Sequence, residues 1–376
     1  MGSKTSRNTS IEALRLVAVA GIAVFHTFQW TFQAVCISVP EYAPLAAFPY
    51  SGLLGFINLL GCWANEVFFM ISGYFLIASA ASAWDGGATW KSQMQRTAQR
   101  LGKVIMPTAF YCLAALAWST VVSPIPDVTL NTHYWYTLGL EFIWVYAATV
   151  FMAPWFGLAK SRLSQKTYTT TVIAVGILVF VVNGYLAAMS ATSAGEFSWL
   201  QKLMSATTYV VAFLIGGLLR DVTNTMNSDR AGALGMRSLA AVLVLTAILE
   251  GELSFTGKLA AMATLSYKST SLISFALAAA SLLFAATRRS ASGNSRTAGA
   301  IVTLSTATLG FYVMQSLTSS LWRPVFNTLL ANILVSQNSP AVMCIVTGTV
   351  ISIVFALALL TIDAARSLIA RKLKRQ

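Results

Sequence analysis

Apolar stretches about 20 residues long recur along the whole chain, and this repetition constrains the fold more than any motif does. A bilayer core of about 30 Å needs about 20 predominantly apolar residues in a spanning helix. Lipid offers no partner to a backbone amide, so each such stretch must close its hydrogen bonds internally as a helix. Ten segments are read this way, at approximately 12–34, 53–79, 104–123, 135–158, 171–190, 204–219, 232–250, 269–287, 299–321 and 341–365. Composition agrees: of 376 residues, 56% are hydrophobic and 10% charged, against roughly 25% charged in an ordinary soluble domain. The expected fold is all-α and polytopic, with about ten transmembrane helices forming one domain over residues 1–376, and residues 366–376 forming a short basic tail. The first apolar run is too long for the core of a signal peptide, so no cleaved leader is expected.

Twenty-five Lys and Arg against 12 Asp and Glu give a formal net charge of +13. In a soluble protein that excess would suggest nucleic acid; here it is an orientation signal, and no nucleic-acid partner is expected. Cytoplasmic loops of membrane proteins carry the Lys and Arg excess. With ten spans and both termini cytoplasmic, 21 of the 25 basic residues fall on the cytoplasmic side, leaving Lys202, Lys258, Lys268 and Arg323 outside. No loop is long enough to hold a soluble catalytic domain, so any chemistry belongs to the helices and their short connections. The four cysteines, Cys36, Cys62, Cys112 and Cys344, have no metal-ligand spacing and suggest no disulfide framework. No metal is expected.

An ionisable side chain at the bilayer centre costs about 2.5–3.5 kcal/mol on insertion scales, which makes each one a functional candidate. In the first span Arg15 and His26 are eleven residues apart, which places them on one helical face roughly 16 Å apart along the axis. Glu12 can pair with Arg15 at i, i+3. Two readings of His26 stay open at this point: a packing histidine bonded to a neighbouring helix, or a general base, for which imidazole is matched to neutral pH. His133, beside Tyr134, Trp135 and Tyr136, reads as part of an interfacial aromatic belt.

The second span carries Asn65, Glu66 and the run Phe68-Phe69-Met70-Ile71-Ser72-Gly73-Tyr74. Glu66 lies near mid-span, and Gly73 admits close approach of either a helix or a ligand. Glu141 is a weaker candidate of the same kind. Before the third span, Arg96, Arg100 and Lys103 stand at i, i+4, i+7, so a helix would line up three cations suited to a phosphate-bearing ligand. The same cluster also serves topology or anionic lipid.

These residues together resemble the acyltransferase-3 family of integral membrane acyltransferases. The likeness rests on Arg15, ten residues, then His26; on the FFMISGY run from Phe68 to Tyr74 with Glu66 before it; and on the basic segment leading to Pro107. Tyr146 and Pro154 add a looser match. It spans most of the chain, with its specificity in residues 11–110. The resemblance implies an acyl-coenzyme A co-substrate, most often acetyl-coenzyme A, no tightly bound cofactor, and a hydroxyl acceptor on a surface polysaccharide or glycolipid. It also implies a multi-pass protein of the bacterial inner or plasma membrane.

By position, His26 matches the essential histidine of the family and Arg15 its partner arginine. Lys103 stands where the family often has arginine, and Gln315 where many members have a late histidine. The implied site comprises His26, Glu66 and Arg15 for chemistry, Arg15, Arg96, Arg100 and Lys103 for the coenzyme phosphates, and Glu12, Phe68, Phe69, Ser72 and Gly73 as structural motif. The imidazole would act as general base or as a transient acyl carrier, oriented by the carboxylate of Glu12 or Glu66. A transporter or flippase for a polysaccharide precursor is the competing class, and it predicts broken helices repeated in two halves.

Overall fold

Asn8 starts the first helix: its side-chain oxygen accepts hydrogen bonds from the amides of Ser10 at 3.0 Å and Ile11 at 3.3 Å. This N-cap sets Glu12 in the first turn, where a carboxylate meets the positive end of the helix dipole. In the computed structural model, which describes residues 8–126, 128–129, 140–190, 198–265, 271–288, 296–336 and 340–373, the helices are α1 (Thr9–Cys36), α2 (Ala43–Ala46), α3 (Tyr50–Asp85), α4 (Trp90–Val121), α5 (Glu141–Arg162), α6 (Gln165–Ser190), α7 (Ser198–Thr225), α8 (Ser228–Phe255), α9 (Leu259–Leu265), α10 (Leu272–Thr287), α11 (Arg296–Ser305), α12 (Thr308–Leu317), α13 (Ser319–Ser336) and α14 (Pro340–Leu373). Among the described residues there is no strand. His133 and its aromatic neighbours lie outside the described residues.

Eight helices, α1, α3 to α8 and α14, are long and apolar enough to cross a membrane. The protein is a multi-pass membrane protein. The count reaches nine if α11 and α12, which meet at 46°, form one broken span. Two of the ten expected segments therefore differ from plain spans. The 269–287 segment yields a 16-residue helix, and the 299–321 segment is bent. The bend has a local cause. At the break, the hydroxyls of Ser305, Thr306 and Thr308 donate to the carbonyls of Val302, Thr303 and Ser305, and such back-bonding competes with the helical ladder. A helix not anticipated from sequence, α13, follows immediately.

α3 is the central helix, packed by α1, α5, α7, α8 and α10. It buries residues all round its circumference, among them Leu59, Ala64, Val67, Phe69, Met70, Ile71 and Ile77, as expected of a helix surrounded by others. Small residues set its closest contact. A Cβ on Gly73 would overlap the carbonyl oxygen of Phe213, and one on Gly216 the carbonyl of Met70, so α3 and α7 touch backbone to backbone. At the periphery, α6, α8 and α14 expose Ile177, Leu178, Val244, Ile248, Val350 and Val354, a surface suited to lipid.

Candidate active site

His26 sits on α1, which runs unbroken from the Glu12–Arg15 pair past the imidazole. Its neighbours Val24 and Phe28 are buried in the apolar cluster shared with Leu54, Ile57, Leu330 and Leu334. His26 itself is half-buried. Beside it Thr27 is fixed, accepting from the Ser352 hydroxyl of α14 at 2.8 Å.

The partner of His26 comes from α13. Arg323 Nη2 lies 3.1 Å from His26 Nδ1, and because a guanidinium has only donors, the arginine donates and Nδ1 accepts. Arg323 lies over the Trp322 ring, 5.5 Å from its centroid. Trp322 is in turn pinned by donating Nε1–H to the carbonyl of Gln315 at 3.0 Å and by ring contacts with Phe326 and Phe355. Thus the backbone carbonyl of Gln315 helps to seat the tryptophan beside the arginine. Arg323 Nε is buried without a hydrogen-bond partner. Among the described residues, ion pairs join Glu12 to Arg15, Lys160 to Asp221 and Asp363 to Arg366, and no described carboxylate pairs with Arg323.

Sequence reasoning missed Arg323 by assigning it to an outer loop. One signal was present: it is among the four cations that break the charge bias, and such an exception asks for a local reason.

Neither expected carboxylate orients the imidazole, which corrects the sequence-based picture. Glu12 instead accepts from Arg15 Nη1 at 2.9 Å. Glu66 is fully buried, and neither of its oxygens has a hydrogen-bond partner. The helix register explains why. Gly61 of α3 faces Phe25, and Gly21 faces Trp63, so α1 and α3 run antiparallel and Glu66 lies about five residues, or roughly 8 Å, from the level of His26.

The FFMISGY run builds the core around α3. Phe69 stacks on Tyr209 at 4.6 Å and meets Phe142 and Tyr146 edge-on. Phe68 packs edge-on to Phe142. The hydroxyls of Ser72 and Tyr146 share a hydrogen bond at 2.8 Å, and Asn65 donates to Tyr209 at 3.2 Å. Gly73 serves the α3–α7 contact rather than a ligand.

Arg96, Arg100 and Lys103 all lie on α4, whose start is capped by Thr89. Thr97 and Gln93 are buried, and Gln93 donates to the carbonyl of Ala80. Arg100 donates to Ser79 at 3.1 Å, while Arg96 and Lys103 are exposed. None of the three forms an ion pair among the described residues, and no hydrogen bond joins the row to Arg15. At the far end of α4, Tyr111, Ala114, Trp118, Met314, Leu317 and Leu321 help line an apolar cavity of about 300 Å³. It carries no charged group.

None of the four cysteines is joined in a disulfide. Among the described residues, no group of three His, Cys, Asp or Glu side chains is placed to hold a metal ion. A family model for an acyltransferase domain matches residues 8–360, nearly the whole chain. No curated protein and no solved structure matches it.

Proposed function

Since the chain belongs to the acyltransferase-3 family, we propose that it is a membrane-embedded O-acyltransferase. It moves an acyl group, acetyl in the first instance, from acyl-coenzyme A to a hydroxyl of a cell-surface polysaccharide or glycolipid. The observation that carries this reading is His26: a half-buried imidazole inside an apolar bundle, with the half-buried guanidinium of Arg323 donating to its Nδ1. A thioester is already activated, so the enzyme mainly has to take the proton of the incoming hydroxyl and stabilise an oxyanion. A histidine beside a cation that no described carboxylate pairs with offers both functions.

The donor is held by its phosphates. The unpaired row Arg96, Arg100 and Lys103 supports this role, with Lys103 contributing a point charge and not a bidentate fork. That row marks the cytoplasmic side, where the coenzyme is available. Along α1, His26 is roughly 16 Å beyond Arg15, so the thioester arm of the donor reaches into the bundle to meet the acceptor. The protein resides in the bacterial inner or plasma membrane.

The bent pair α11–α12 is the single feature that favours a transporter. One assay separates the two classes. Membranes holding the protein are given labelled acetyl-coenzyme A, and base-labile label on carbohydrate is expected; absence of label together with altered glycan export would favour transport.

A further inference from the structure

We propose that Arg323 is a catalytic residue of the acyl transfer, capping Nδ1 of His26 at rest and holding the oxyanion during reaction. The inference rests on the acyl-transfer reading of His26 given above. Three observations carry it: the 3.1 Å contact from Arg323 Nη2 to His26 Nδ1, the buried Arg323 Nε without a partner, and the absence of any carboxylate paired with Arg323 among the described residues.

The contact fixes the chemistry of the ring. With a donor-only guanidinium on Nδ1, the neutral imidazole carries its proton on Nε2, and the lone pair that can accept a proton is the one facing Arg323. Arg323 is half-buried, with its Nε desolvated and no carboxylate paired to it among the described residues; a partly desolvated cation of this kind is poised for an anion. Acyl transfer generates one at the thioester carbonyl oxygen. When this oxygen engages Arg323, Nδ1 is released.

The acceptor hydroxyl then gives its proton to Nδ1 as its oxygen bonds to the carbonyl carbon, and the carbonyl electron pair becomes an oxyanion held by Arg323. As the carbonyl re-forms, the carbon–sulfur bond breaks. The leaving thiolate takes the proton from Nδ1, yielding the ester and the coenzyme thiol, with Nε2–H unchanged throughout.

The test uses the full-length protein in membranes, with acetyl-coenzyme A as donor. Arg323→Ala is expected to lower kcat by about 10²–10³, the range for loss of one oxyanion donor, with KM for acetyl-coenzyme A unchanged. Arg323→Lys recovers part of the rate, and added guanidinium ion raises the rate of Arg323→Ala. A wild-type kcat in Arg323→Ala, or a loss confined to KM, overturns the proposal. Should the variants not insert, ¹⁵N NMR of the wild-type imidazole decides, its signal identified by its absence in His26→Gln: a neutral ring protonated on Nε2 supports the inference and one protonated on Nδ1 refutes it. If His26→Ala is inactive while Arg323→Ala is fully active, this inference falls and the acyl-transfer reading stands. If His26→Ala is itself fully active, that reading falls first.

Discussion

A histidine held by an arginine presents the opposite ring nitrogen from one held by a carboxylate. A carboxylate would accept from Nδ1–H and leave Nε2 bare, whereas Arg323 donates into Nδ1 and leaves the proton on Nε2. The difference removes the orienting task from Glu66, which is buried about 8 Å from the level of the ring by helical rise, too far along α3 to orient it. Glu66→Gln keeps the shape and removes only the ionisable oxygen, so acetyl transfer is expected to stay within a few-fold of wild type; a loss of two orders of magnitude in kcat would put Glu66 back among the reacting groups. The stripe of Glu12, Arg15 and His26 was legible because its logic is local, set by the periodicity of one helix. Arg323 was not, because its partner is 297 residues away and a spacing rule cannot see across the bundle.

Among the helices, close approach and breakage both come from small or hydroxyl-bearing residues. Gly73 has no room for a side chain against the Phe213 carbonyl, so Gly73→Val must push α3 from α7. It is expected to cost about 1–3 kcal/mol, the usual range for overpacking, read as a lower Tm in detergent. Gly102 has nothing within 4 Å of where a Cβ would stand, and Gly102→Ala should leave Tm unchanged or slightly raised. Equal effects at the two positions would contradict the packing argument. The sequence located the apolar segments well because hydropathy records burial in lipid or core alike. It did not reveal the α11–α12 break, since no Pro or Gly stands at Ser305-Thr306-Ala307 and the cause is hydroxyl back-bonding. Nor did it reveal α13, where Arg323 and Pro324 interrupt the pattern by which spans are recognised.

For the whole molecule, the basic excess is the expected orientation signal, and the α4 row within it is the proposed phosphate site. Arg100 donates to Ser79 and has no acidic partner among the described residues, so Arg100→Ala is expected to raise KM for acetyl-coenzyme A several-fold while KM for the acceptor holds; an unchanged donor KM would leave the α4 row with topology alone. Under the proposed acyl transfer, the donor's phosphates would meet that row and the imidazole would lie deeper along α1, so the thioester would be carried into the membrane interior. His26 is the point on which this account turns. The most direct measurement is transfer of labelled acetyl groups from acetyl-coenzyme A to base-labile linkage on carbohydrate, in membranes holding equal amounts of inserted wild-type or His26→Ala protein. The account predicts label with wild type and none with His26→Ala; equal labelling by the two would contradict it.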